Sequence, residues 1–296
     1  MQLLITGSHG LIGSSLIASL SGAGHQILRL VRGSATQADE VAWDPSRGTI
    51  DAAGLEGLDA VVHLAGESIA ARRWTKKQKQ KILDSRVLGT TLLVNTLAAL
   101  AAPPKVLVAA SAIGFYGDRG DEIVDECSSA GQGFLPQVCQ QWEAACQPAH
   151  DRGIRTANLR FGVVLAGDGG ALKKMLLPFR LGLGGKIGSG RQWMSWIAVD
   201  DAVGAIQHVL AVDHLFGPVN AVAPQPVTNA EFTTALGMAL SRPTIFPLPA
   251  PVARVVLGEM ADALLLASTR VKPTQLAASG YAFRLPELSR ALDHVL

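Results

Sequence analysis

Thr6-Gly7-Ser8-His9-Gly10-Leu11-Ile12-Gly13 decides how this chain is read. It sits between an apolar strand candidate, Gln2–Ile5, and a helix candidate, Leu11–Ser21, which Gly22 and Gly24 end. Three glycines at that junction each meet a physical need. Gly7 permits the tight turn, Gly10 lets backbone approach a pyrophosphate, and Gly13 lets helix and strand pack closely. The helix start then offers unpaired N–H groups and the positive end of its dipole to an anion. Gly7, Ser8, Gly10, Leu11, Ile12 and Gly13 are therefore the expected contacts of a bound dinucleotide. The spacing is GxxGxxG, which differs from the commoner GxGxxG.

The next strand selects the dinucleotide. An NAD site places Asp or Glu about 20 residues after the glycines to bond the ribose 2′-hydroxyl. Here Gln26–Val31 ends Leu28-Arg29-Leu30-Val31-Arg32-Gly33-Ser34, with no acid before Asp39. Val31 and Arg32 are the expected ribose contacts. The Arg32 guanidinium suits a 2′-phosphate, so the expected cofactor is NADP.

Further along, short apolar runs alternate with amphipathic ones. Strands are expected at Ala60–Leu64, Lys105–Ala110 and Thr156–Leu165. Helices are expected at Lys76–Leu100 and Pro136–Arg152. That alternation predicts an α/β fold, a Rossmann-type doubly wound parallel sheet. The unbroken run Val106-Leu107-Val108-Ala109-Ala110 agrees, since a strand buried on both faces need not alternate. After Leu165 glycines multiply, and Ile197–Val212 returns to a strand-turn-helix pattern with Asp200 as the expected N-cap. The expected organisation is a nucleotide domain over 1–165, with 196–223 returning to it. A second, smaller C-terminal lobe would take 166–195 and 224–296.

Composition narrows the class. The chain has 296 residues, 48% hydrophobic and 17% charged, which excludes intrinsic disorder. Twenty-six basic residues against 24 acidic ones argue against a nucleic-acid partner. Cys127, Cys139 and Cys146 are too few and odd in number for a disulfide framework, and no Cys/His cluster has metal spacing. Leu3-Leu4-Ile5 is too short for a secretory signal, and no apolar run is long enough to span a membrane. The expected location is the cytoplasm, with no membrane partner. The dense basic run, Arg72 to Lys81, reads as a solvated helix face or as a surface for an acidic partner.

These residues resemble the short-chain dehydrogenase/reductase superfamily, extended type. Asp59 to Glu67, Arg73-Trp74 with Ser85-Arg86 and Thr90, Ser111 to Gly117, Trp142-Glu143, Leu159 to Leu165 and Gly188 to Gly190 narrow the likeness. Trp196-Ile197 and the tail (Pro247–Pro251, Gly258-Glu259, Val271-Lys272-Pro273, Gly280 to Phe283) complete it. The chain is similar throughout to the atypical "epimerase family protein" subgroup of nucleoside-diphosphate-sugar epimerases, which carries a small C-terminal domain. The resemblance implies that Leu64, Ala65 and Gly66 flank the adenine and ribose, and that Lys81 and Arg86 lie near the cofactor. It assigns no substrate; a small molecule, with a nucleotide sugar as candidate, is the expected partner. Oligomeric state stays open.

The superfamily's mechanism uses a Tyr-x-x-x-Lys pair, in which lysine lowers the tyrosine pKa and tyrosine moves a proton. The chain has two tyrosines, Tyr116 and Tyr281, and neither has lysine four residues on. Counting back from Glu143, the resemblance puts Leu135 where tyrosine belongs and Cys139 where lysine belongs. Ser111 is the candidate for the superfamily's serine, although counting back from Tyr116-Gly117 selects Ala112. Tyr116 is a candidate substitute acid, with packing under a loop as the alternative. Glu143 is expected to cap or pair on its own helix. Ala198 stands where the subgroup would carry histidine. Two readings remain: an NADP-dependent oxidoreductase or nucleotide-sugar epimerase lacking the usual pair, or a non-catalytic NADP(H)-binding sensor or interaction protein.

Overall fold

The computed structural model describes all residues, 1–296. Its first half alternates as the apolar pattern dictates. β1 (Gln2–Thr6), α1 (Leu11–Gly22) and β2 (Gln26–Arg32) come first, then β3 (Glu40–Asp44) and β4 (Thr49–Ile50). β5 (Ala60–His63), α2 (Lys76–Ala99) and β6 (Val106–Ala112) follow, then a short β7 (Ile123–Val124), α3 (Phe134–Ala144) and α4 (Gln147–Asp151). The next segment holds β8 (Arg155–Phe161), β9 (Val163–Leu165), α5 (Gly170–Arg180), β10 (Trp193–Met194), β11 (Trp196–Ala198) and α6 (Val199–Ala211). The last part holds β12 (Gly217–Ala221), β13 (Val227–Thr228), α7 (Asn229–Ala239), α8 (Ala250–Leu257), β14 (Arg270–Val271), α9 (Thr274–Ala278) and α10 (Leu288–Val295).

Eight strands form one sheet in the order β12-β8-β6-β5-β1-β2-β3-β4. All neighbours run parallel except β3 and β4, an antiparallel edge pair. The chain moves outward from β1 through β2 in one direction and from β5 in the other. The strand order therefore reverses between β1 and β5, where an open α/β sheet leaves a crevice beyond its carboxyl ends. One face of the sheet is sealed by α1 and α6, with Leu16, Leu20, Ala205 and Ile206 in the same core as Leu3, Ile5, Val62 and Val108. The other is sealed by α2 and α4, with Leu93, Val94, Leu97 and Ala149 packed on Leu4, Val61 and Leu107. A separate core joins α5, α7 and α10 through Leu172, Leu176, Phe232, Leu236 and Leu292. No helix is long and apolar enough to cross a membrane.

Several expectations need correction. The strand expected at Thr156–Leu165 breaks at Gly162, where a Cβ would lie 2.6 Å from the Ser195 carbonyl oxygen and 2.9 Å from Val222 Cγ1. β9 leaves the main sheet there and pairs with β11. The helix expected at Pro136–Arg152 divides at Ala145 and Cys146 into α3 and α4. Asp200 does not cap α6: Ala198 holds that position and Asp200 lies in the first turn. The edge pair β3–β4 was not foreseen, nor were the short strands of the second half. Part of residues 224–296 packs against the main sheet. Leu276, Tyr281 and Phe283 pack into the core of the main sheet, while β14 pairs with β7. Asp201 fastens this return, its carboxylate accepting from the Tyr281 hydroxyl (3.0 Å) and the Arg284 and Leu285 amides (2.8 and 2.9 Å).

Candidate functional site

Strand register assembles the site. Thr6 pairs with Leu30 on β2 and with His63 on β5, and His63 pairs with Ala109 on β6. The residues just past those positions thus end side by side: Arg32, the glycine loop, Leu64 to Gly66, then Ser111 and Ala112. Three strand spacings, about 14 Å, separate β2 from β6.

The glycine loop is closed to side chains. Gly7 adopts φ +68°, and a Cβ there would meet the Leu64 carbonyl carbon at 2.8 Å. A Cβ on Gly13 would lie 2.2 Å from the Gly7 oxygen, and one on Gly10 3.1 Å from it. The Gly10 amide donates to that same oxygen at 2.9 Å, which folds the loop onto the start of α1. Leu11, the first residue of α1, is covered from outside: a Cβ on Gly169 would be 2.8 Å from Leu11 Cδ1. The loop ahead of α5 thus overhangs the helix start.

Behind the loop runs a buried polar chain that sequence reading did not find. Thr6 Oγ1 accepts from the Leu64 and Ala65 amides (3.0 and 3.1 Å), so its own hydrogen goes to His63 Nδ1 at 2.8 Å. That leaves the His63 proton on Nε2, which donates to Thr90 Oγ1 at 2.9 Å. Thr90 also accepts from Trp142 Nε1 at 3.1 Å. Burial pushes the His63 pKa down to about 4, so the ring is neutral at pH 7. This chain locks the ends of β1 and β5 to α2 and α3.

Arg32 is exposed at the strand end, and Lys81 is exposed on α2. Between them stands Glu67, which the sequence reading had quoted without a role. Its carboxylate accepts from Lys81 at 3.1 Å. Lys81 foremost, and Arg32 to a lesser degree, hold it below the usual carboxylate range. Arg86 is deeper. Its Nη1 donates to the Glu67 and Ile82 carbonyl oxygens (2.9 and 3.1 Å), and its guanidinium lies 4.9 Å from the Trp142 ring centre. It has no carboxylate partner, and burial depresses its pKa. A Cβ on Gly66 would be 3.3 Å from Arg86 Cζ, so this glycine admits the guanidinium.

At the far end the polar groups face each other. Ser111 donates to Glu143 Oε1 at 2.6 Å. Arg160 on β8 grips the same carboxylate with two bonds of 2.8 Å and donates to the Tyr116 hydroxyl at 3.0 Å. Tyr116 donates to Asn220 Oδ1 at 2.7 Å. Burial works against the Arg160 charge, but Glu143 and Tyr116 together hold it above its ordinary range. Glu143 therefore pairs across to β8 and β6, which corrects the expectation that it would cap or pair on its own helix.

Tyr116 is 0% exposed and burial pushes it up to about 12. Its hydroxyl is engaged on both sides, by Arg160 and by Asn220. Ser111 is 3% exposed and engaged with Glu143. Leu135 and Cys139 flank Gly114, where a Cβ would lie 3.4 Å from Leu135 Cβ and 3.8 Å from Cys139 Sγ. The Cys139 thiol is pushed up to about 12, chiefly by burial and then by the Glu143 charge. No group of His, Cys, Asp and Glu side chains could hold a metal ion.

Known proteins share this fold. The model of the NAD dependent epimerase/dehydratase family matches residues 3–219, and a domain of unknown function, DUF1731, matches 248–295. An epimerase family protein of Mycobacterium tuberculosis is 46% identical over 98% of this chain and 96% of its own length. Human epimerase family protein SDR39U1 is 38% identical over the whole of both chains. The crystal structure of human SDR39U1 (isoform 2) with NADPH superposes with a TM-score of 0.92 at 37% identity, covering 100% of this chain and 99% of that one. The UDP-glucose 4-epimerase of Thermotoga maritima, 16% identical with a TM-score of 0.78 over 100% and 97% of the two chains, shares the fold. With the family model covering residues 3–219 and relatives this similar over the full length, the chain belongs to the NAD dependent epimerase/dehydratase family.

Proposed function

We propose that this chain binds NADP(H) across the ends of β2, β1, β5 and β6, and that it does so without the superfamily's proton relay. The closed glycine loop carries the reading. A Cβ at Gly7 or Gly13 would collide with backbone and one at Gly10 would be tight, so the loop stays the bare backbone that a pyrophosphate approaches. Ser8, Leu11 and Ile12 complete that contact, and Leu64, Ala65 and Gly66 border the adenosine. Arg32 meets the 2′-phosphate, with Lys81 beside it once Glu67 releases its ammonium. Arg86, buried without a carboxylate, supplies a further fixed cation. The human relative crystallised with NADPH supports the same choice of dinucleotide.

Bound nicotinamide would supply hydride donor or acceptor chemistry. The residues expected at that end position and exclude water rather than move protons. Leu135 carries no proton, Cys139 holds its own, and Tyr116 is sealed away. Titrating the protein with NADPH and NADH by nicotinamide fluorescence tests the reading. Tighter binding of NADPH is expected; equal affinity for both would overturn the assignment of Arg32.

A second reading has one observation behind it. The 2.6 Å Ser111–Glu143 bond gives the Ser111 hydroxyl a carboxylate to which it could pass a proton. On that reading the protein is an oxidoreductase or nucleotide-sugar epimerase with Ser111 as its proton-handling group. Ser111→Ala would then abolish turnover while leaving cofactor affinity unchanged.

A further inference from the structure

The second half of the chain forms an open surface pocket of about 260 Å³. It is lined by Lys186, Thr233, Thr234 and Thr244 together with Ala230, Ile245 and Pro247. No acidic side chain lines it. Thr233 and Thr234 are consecutive on α7, the first buried and the second exposed; Lys186 comes from the glycine-rich segment after α5, and Thr244 from the segment after α7.

Thr233 is the informative residue. It is 5% exposed, yet its hydroxyl makes no hydrogen bond. The side-chain polar atoms wholly sealed without a partner are Gln78 Nε2, Glu126 Oε2 and Asn158 Oδ1, and the Thr233 hydroxyl is not among them. An unpaired hydroxyl that is not sealed must open on free space, and the space at Thr233 is this pocket. Thr234, one residue on, donates to the Ala230 carbonyl at 3.0 Å, so its neighbour's lack of a partner is not a property of the helix. The Thr244 hydroxyl is likewise unpaired, its methyl resting against the position a Cβ would take on Gly237. The Lys186 ammonium has no carboxylate within ion-pair distance, whereas nearby Glu231 is engaged by Thr228 at 2.7 and 2.8 Å.

One ammonium and two hydroxyls without a protein partner line this open pocket, and no negative charge lines it with them. We propose that this pocket is a binding site for a small oxyanion, a carboxylate or phosphate group. Its charge would be met by Lys186 and its oxygens by Thr233 and Thr244. Ile245, Pro247 and Ala230 would shelter a short apolar stem. The walls are held in place independently of any ligand. The Ile187 amide donates to Asn229 Oδ1 at 2.7 Å, and Gln192 Nε2 bonds the Ile187 and Leu265 carbonyl oxygens at 3.0 and 2.9 Å.

The test uses the full-length protein with isotope-labelled threonine methyl groups. Inorganic phosphate and acetate are titrated separately at constant ionic strength against sodium chloride. Thr6 reports the glycine loop, while Thr233, Thr234 and Thr244 report the pocket, so the two anion-binding places are read apart. The pocket methyls should shift saturably with at least one anion and stay still in chloride. Lys186→Gln should weaken that binding roughly tenfold, the loss expected of one charge-assisted hydrogen bond. Thr233→Val should weaken it as well, and Thr233→Ser should restore it. The proposal is overturned if the shifts are confined to Thr6 or never saturate. It also fails if Lys186→Gln and Thr233→Val, both still folded, respond as the parent does.

Discussion

The two ends of the crevice use polar residues in opposite ways. At β1 and β5 the polar chain Thr6–His63–Thr90–Trp142 lies behind the glycine loop and fixes the strand ends that carry it. At β6 and β8 the polar residues Ser111, Glu143, Arg160, Tyr116 and Asn220 bond to one another in an unbroken chain. The first arrangement prepares a surface for a ligand. The second satisfies itself internally, as buried polar groups must when no ligand completes them.

Substitutions that separate the two ends should have very different effects. Gly10→Val fills the gap between loop and ligand and should cost on the order of a thousandfold in NADPH affinity, with the circular dichroism spectrum unchanged. Isothermal titration reads it. Glu143→Ala leaves the Arg160 charge buried and unpaired. It should lower unfolding stability by about 3–4 kcal/mol in urea, with cofactor affinity changed far less. If it instead abolished binding at full stability, the contrast between scaffold and ligand surface would be wrong.

The His63 chain makes a pH prediction. The unfolded ring titrates near 6.5 and the folded one near 4, so between those values the unfolded state binds the extra proton. The stabilisation is intact above pH 6.5 and is lost as pH falls toward 4, by about 3 kcal/mol in all. Urea melts across that range should show the slope, and His63→Gln should remove that share of it. The smallest effect belongs to Arg32→Ala. It should lower NADPH affinity roughly tenfold and leave NADH affinity unchanged, since only the 2′-phosphate contact is lost.

The sheet was legible because buried parallel strands are apolar throughout and their helices end at glycine or proline. Strand ends and loop glycines were legible for the same reason: Gly13 has no alternative when a Cβ would strike the Gly7 oxygen. Gly162 has an equally strict need, but the atoms it avoids, on Ser195 and Val222, are distant in sequence, so the break between β8 and β9 went unread. The return of the tail through Asp201 and Tyr281 was hidden in the same way. Arg160 and His63 did leave a trace, since each is a polar residue set in an apolar strand. What the trace lacks is the partner, because Glu143 and Thr90 are helical residues whose facing side only packing decides. The pairing of Glu67 with Lys81 spans 14 residues of loop and helix and had no periodic signal at all.

The central claim is that the crevice holds NADP(H) but offers the nicotinamide no proton donor. The most direct measurement follows the nicotinamide absorbance of NADPH bound to the purified protein while nucleotide sugars, aldehydes and ketones are added, for the parent chain and Ser111→Ala side by side. The account predicts that both bind NADPH and that the absorbance stays constant in both. Oxidation of NADPH by the parent but not by Ser111→Ala would contradict it and make Ser111 the catalytic residue.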